Sequence, residues 1–84
     1  MGGVTVLNPA QCRAARGLLG VTQEQLAREA GLSKRTIIEF ENGSRGSLAS
    51  TIEKLQRALE SLGVEFIGGD GPAAGVRFRN ARPE

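Results

Sequence analysis

Residues 31–43, GLSKRTIIEFENG, constrain the fold more than any other stretch of the chain. At about 100° per residue, Thr36, Ile37 and Phe40 fall on one side of a helix. Lys34, Arg35, Ile38, Glu39 and Asn42 fall on the opposite side. Ser33 suits the N-cap, where its hydroxyl accepts from an unpaired first-turn amide. Asn42-Gly43 suits the exit, because glycine enters the left-handed region without a Cβ penalty. A helix of this make-up must bury its apolar side against other elements. To solvent it then offers two cations, an aliphatic side chain and a carboxamide.

The neighbouring segments supply that support. Asn8-Pro9 opens a first helix, with Asn as cap and Pro at the first helical position, where its missing amide costs nothing. Cys12, Ala15 and Leu19 form its apolar stripe. After the turn at Gly20-Val21, Thr22 caps a second helix, Gln23 to Ala30, with Gln25 placed as a capping box requires. Leu26, Ala27 and Ala30 face inward, and Gly31-Leu32 turns the chain into the central helix. Two short helices joined by a glycine-containing turn, the second with a polar outer face, make a helix-turn-helix. Leu48, Ile52, Leu55, Leu59 and Leu62 then predict a fourth helix. It starts between Ser47 and Ser50, with Ser50-x-x-Glu53 as a candidate capping box, and Gly63 closes it.

Beyond Gly63 the period falls to two. Val64 to Ile67 and Val76 to Arg79 read as two short strands joined by GGDGPAAG. Val64 and Phe66 share a face that Val76 and Phe78 match, and Glu65 lies near Arg77 or Arg79 on the other. A lone hairpin is marginal in water and its outer edges invite pairing. Either the helices cover it or a second copy of the chain completes the sheet. The favoured reading is homodimerisation through residues 64–79, with Val64, Phe66, Ile67, Val76 and Phe78 at the contact.

The sequence therefore reads as a mainly α domain: an arm over 1–8, four helices over 9–62, a β-hairpin over 63–80 and a tail over 81–84. Eighty-four residues suffice for one modest core. No run approaches the roughly 18 apolar residues of a membrane span, and the start MGGVTVLNP lacks the layout of a signal peptide. Cys12 has no partner for an internal disulfide, and a chain without histidine is a poor zinc ligand set. A reducing cytoplasm is expected. No nucleophile–base pair, metal cluster or phosphate loop is present, so neither an enzyme nor a cofactor is expected. The net charge of +2 is modest. Nine of the eleven cations are Arg, however, whose planar fork suits phosphates and guanine edges.

From about Cys12 to Leu62 the chain resembles the Cro/C1-type (XRE, phage-repressor-like) helix-turn-helix family. The marks are Arg13-x-x-Arg16, Thr22-Gln23-x-x-Leu26-Ala27, Gly31-Leu32-Ser33, Thr36-Ile37 and Phe40-Glu41-Asn42-Gly43. The resemblance implies a lambda-repressor-like four-helix fold with operator DNA, a double-stranded duplex, as ligand. It implies base readout by Lys34, Arg35, Ile38 and Glu39. Phosphate contacts fall to Gln23, Ser33, Asn42 and Arg45, with Arg13 divided between that role and plain solubility. It also implies an ion pair, Arg16 with Glu41, that ties helix one to the end of helix three. Glu39 departs from the family's pattern, which often carries Gln, Ser or Arg near there, and a carboxylate near phosphates costs affinity unless it accepts from a cytosine amine or pairs with Arg35. The function expected is a sequence-specific transcriptional regulator, most simply a repressor that binds a two-fold operator as a homodimer. The alternatives are the antitoxin of a toxin–antitoxin pair, with a toxin as protein partner, and an interaction module without DNA binding.

Overall fold

The computed structural model describes residues 7–43, 47–68 and 74–80. Four helices come first: α1 (Pro9–Leu19), α2 (Gln23–Ala30), α3 (Lys34–Glu41) and α4 (Ala49–Leu62). An antiparallel hairpin of β1 (Val64–Ile67) and β2 (Gly75–Phe78) follows. Residues 1–6 of the expected arm (1–8), residues 69–73 of the connecting GGDGPAAG loop and the expected tail over 81–84 lie outside the described residues.

The first three helices start by one device. Asn8, Thr22 and Ser33 hold extended backbone, and their side chains accept from the amides of Gln11, Gln25 and Thr36. Gln11 and Gln25 return the bond to the cap amides, which completes two capping boxes. The residues flanking each cap, Leu7 with Cys12, Val21 with Leu26 and Leu32 with Ile37, occupy the positions of a hydrophobic staple. Leu7, Cys12, Leu26 and Ile37 are all buried. Leu7 therefore belongs to the core and not to a loose arm, and Asn8 belongs to α1 as its cap.

The helix exits are equally local. Gly20 and Gly31 turn left-handed at φ 71° and 72°. The next amides, Val21 and Leu32, reach back to the carbonyls of Arg16 and Ala27 at 3.1 and 2.9 Å. An L-residue at Gly31 would be strained by its own backbone although the space around it is open. This turn leads the chain from α2 directly into the cap of α3.

Helix α4 departs from expectation at its start. Leu48, not a serine, holds the N-cap position, and no side chain bonds to the helix entrance. The Ser50–Glu53 capping box does not form, because Ser50 already lies inside the helix. Leu48 is 67% exposed, whereas Leu55, Ala58 and Leu59 carry the burial further along. One turn of the apolar stripe is thus left in solvent at the helix entrance.

The core joins Leu7, Cys12, Ala15, Leu26, Ala27, Ile37, Phe40, Leu55, Ala58, Leu59 and Val64. The hairpin belongs to it. Val64 pairs with Phe78 and Phe66 with Val76, and Val64, Phe66 and Val76 pack inward against this cluster. Gln11 is buried and donates from Nε2 to the Gly75 carbonyl at 3.0 Å, which ties α1 to β2. On the outer face Glu65 and Arg77 are register partners joined as an ion pair. Arg79 donates its amide to the Gly63 carbonyl at 2.8 Å, and its guanidinium donates to the Glu60 carbonyl. The hairpin's inner face is therefore covered by its own helices, and of the five residues expected at a dimer contact only Ile67 is exposed.

Candidate nucleic-acid interface

The interface is built around one buried carboxylate. Glu41, the last residue of α3, is 3% exposed, yet every lone-pair direction of its side chain is used. Arg16 on α1 grips it with two bonds, Nε to Oε2 at 2.7 Å and Nη2 to Oε1 at 2.8 Å. Gln23 at the head of α2 donates from Nε2 to Oε1 at 3.0 Å. The Cys12 thiol donates to Oε2 at 3.1 Å. Arg13 donates to the backbone carbonyl of Glu41, which caps the C-terminal end of α3. Three helices thus meet on one side chain.

The ionisation of these groups follows from that geometry. Burial pushes the Glu41 carboxyl up, but the hydrogen bonds of Arg16, Cys12 and Gln23 and the charge of Arg16 outweigh it. The net effect holds Glu41 below its ordinary range. Burial first, then the bond to Glu41 and its charge, drive the Cys12 thiol well above its ordinary range. Cys12 is therefore a neutral donor in the core, without thiolate character.

While its C-terminal end is held, the outer face of α3 is left to solvent. Lys34, Arg35, Glu39 and Asn42 are exposed and Ile38 is half-buried. Among the described residues none of these polar side chains bonds to another element. The one bond they make is within α3, from Arg35 Nε to Glu39 Oε2 at 3.1 Å. The polar face and the buried face, Ile37, Phe40 and Glu41, are separated as the helical period requires.

The residues expected at phosphates divide differently. Asn42 is exposed at the helix exit. The Ser33 hydroxyl accepts from the Thr36 amide and meets the Thr36 hydroxyl at 2.9 Å, so it caps α3. Gln23 and Arg13 are both drawn into the Glu41 cluster. Arg45 lies outside the described residues. Cys12, a member of the cluster, reads in the sequence only as core, and the buried Gln11 beside it, which bonds to Gly75 outside the cluster, is marked by no apolar stripe. The alternation of Gln11, Cys12 and Ala15 as consecutive inward positions on α1 was the available signal.

No helix among the described residues is long and apolar enough to cross a membrane. A search of curated proteins finds no match. A family model described as helix-turn-helix (HTH_3) matches residues 13–66, which run from Arg13 on α1 to Phe66 on β1. That span takes in the caps of α2 and α3, the Gly31 turn, Arg13, Arg16, Gln23 and Glu41 of the cluster and the exposed face of α3, and it covers well over half of the chain. With four helices and a hairpin in place, the chain belongs to the Cro/C1-type (XRE) helix-turn-helix family of DNA-binding transcription regulators.

Proposed function

We propose that this protein is a sequence-specific repressor of the cytoplasm that binds a two-fold operator as a homodimer and works by occluding a promoter. One observation supports this most directly: among the described residues no polar side chain of the α3 face from Lys34 to Asn42 bonds to another element, so its chemistry is available to a ligand. Two cations flank the front of that face, and Ile38 offers an aliphatic surface for a thymine methyl. Arg35 reads a guanine, with discrimination of about 1–3 kcal/mol. Lys34 and Ile38 read neighbouring base edges. Asn42, the amides that open α2, and Arg45 fix the register on phosphates. Gln23 contributes by holding the head of α2 against Glu41, and any phosphate contact it makes uses the rest of its amide.

The dimer uses the hairpin's edges and not its inner face. The bond from the Arg79 amide to Gly63 puts Gly63 and Arg79 in a hydrogen-bonded pair, and such pairs alternate along an antiparallel ladder. The backbone groups of Val64 and Phe66 accordingly point away from β2. Among the described residues no third strand pairs with either edge. A second copy adding its strand there would give one continuous sheet, with two α3 helices about one helical turn, roughly 34 Å, apart on the duplex.

Selection of bound sites from random duplexes tests both parts at moderate salt. The expected product is a symmetric site with half-sites about 10 bp apart. Arg35→Ala erases the preference at one position of each half-site and leaves the others. Failure to enrich any sequence, with the protein shown folded, refutes the function. Enrichment of an unpaired half-site by a chain that sediments as a monomer refutes the dimer alone.

A further inference from the structure

We infer that Glu39 is a positioning residue for base readout: it orients the guanidinium of Arg35 and is not itself a reader of cytosine. The inference rests on the DNA-binding reading above and deepens it at one site. A guanidinium carries five N–H donors in a planar fork. It meets guanine O6 and N7 either side-on, through Nε with one Nη, or end-on, through the two Nη groups. In this structure Nε is taken, since it donates to Glu39 Oε2 at 3.1 Å. The two Nη groups have no partner among the described residues. The side-on edge is thereby closed, and the end-on edge remains, held at a set angle to the axis of α3.

Charge gives the same residue a second effect. Arg35 is 86% exposed and Glu39 is 54% exposed, one helical turn apart on the outer face. An arginine alone there is drawn to any phosphate within reach, with no regard to sequence. A carboxylate bonded to its Nε cancels part of that pull and leaves directional bonding to decide the contact. Glu39 thus lowers affinity for every duplex and raises discrimination among duplexes. The departure from the family's pattern at this position then has a physical account: the carboxylate is satisfied within the protein and needs no amine from DNA. Packing of the groove strengthens the bond, because water leaves the pair when the duplex arrives.

The test measures affinity for the selected site and for single-base variants of it, with the parent chain, Glu39→Gln, Arg35→Ala and the double variant. Glu39→Gln keeps the size and helical backbone of an exposed side chain, and a thermal melt of each variant checks the fold. The expected result for Glu39→Gln is a gain in affinity for unrelated duplex, with a steeper salt dependence of that binding. Preference for guanine at the Arg35 position falls by about three- to tenfold. In the Arg35→Ala background the same change alters no base preference. The inference is overturned if Glu39→Gln raises affinity for all sequences equally, since Glu39 then acts by repulsion alone. It is also overturned if the change moves preference at a cytosine in the Arg35→Ala background. A parent chain that selects no site at all is a different outcome, and it removes the DNA-binding reading together with this one.

Discussion

Replacing Glu41 by Gln should cost this domain much of its stability. The parent carboxylate accepts two bonds from Arg16 and one each from Gln23 and Cys12. An amide in its place keeps the volume but presents an NH2 where two donors already converge. It also leaves the Arg16 guanidinium, only 21% exposed, without its counter-charge. Breaking one partner of a buried pair costs about 3–5 kcal/mol. Because Arg16 retains some access to water, about 2–4 kcal/mol is the appropriate range here. For a domain of this size 1 kcal/mol shifts Tm by about 4–8 °C, so the melt should fall by about 8–32 °C. Circular dichroism of parent and variant across pH is the assay, because the sign of the pH dependence is fixed. The Glu41 pKa is lowered on folding, so its stabilisation is complete above the ordinary carboxylate range. It is lost as pH falls through the lower folded value. The gap between parent and Glu41→Gln should therefore narrow on acidification. A variant within 0.5 kcal/mol of the parent (about the noise of surface changes), or a gap that ignores pH, refutes the reasoning.

Further outcomes follow from particular residues. The Cys12 thiol should resist alkylation in the folded protein and react at a rate set by unfolding, as followed by mass spectrometry. Its pKa is raised on folding, so stability should be intact below the ordinary thiol range and decline as pH rises above it, an effect absent in Cys12→Ala. Asn8→Ala removes one half of the α1 capping box and should cost about 1 kcal/mol in denaturant unfolding. Gly31→Ala forces a Cβ into a backbone at φ 72° and should cost about 1 kcal/mol or more, whereas Gly17→Ala, inside α1, should be neutral or stabilising. Gln23→Ala should weaken binding to all duplexes alike and also lower Tm, because its amide serves Glu41.

What the sequence made legible was whatever is decided within a few residues. Asn8, Thr22 and Ser33 cap helices through their own side chains, Gly31 turns through its own backbone, and Val64, Phe66, Val76 and Phe78 alternate by strand geometry alone. The pairing of Arg16 with Glu41 came from the family resemblance, since 25 positions separate them. What stayed hidden depends on distant segments meeting. Gln11 reaches a carbonyl 64 positions away, and a polar side chain in the first turn of a helix does not announce that. Leu48 continued the leucine spacing and was read as buried, but the body of the domain does not extend over the first turn of α4. Arg13 and Gln23 looked like surface groups for phosphate because their reach toward Glu41 exists only after three helices pack.

The convergence on Glu41 has a bearing on how such a protein changes its address. The bolt that sets the pose of α3 is at the far end of the helix, and the exposed cations proposed to read bases are at the near end. Neither Lys34 nor Arg35 bonds to that cluster, so on the proposed reading a new target is reachable by a few surface changes in a scaffold that stays put.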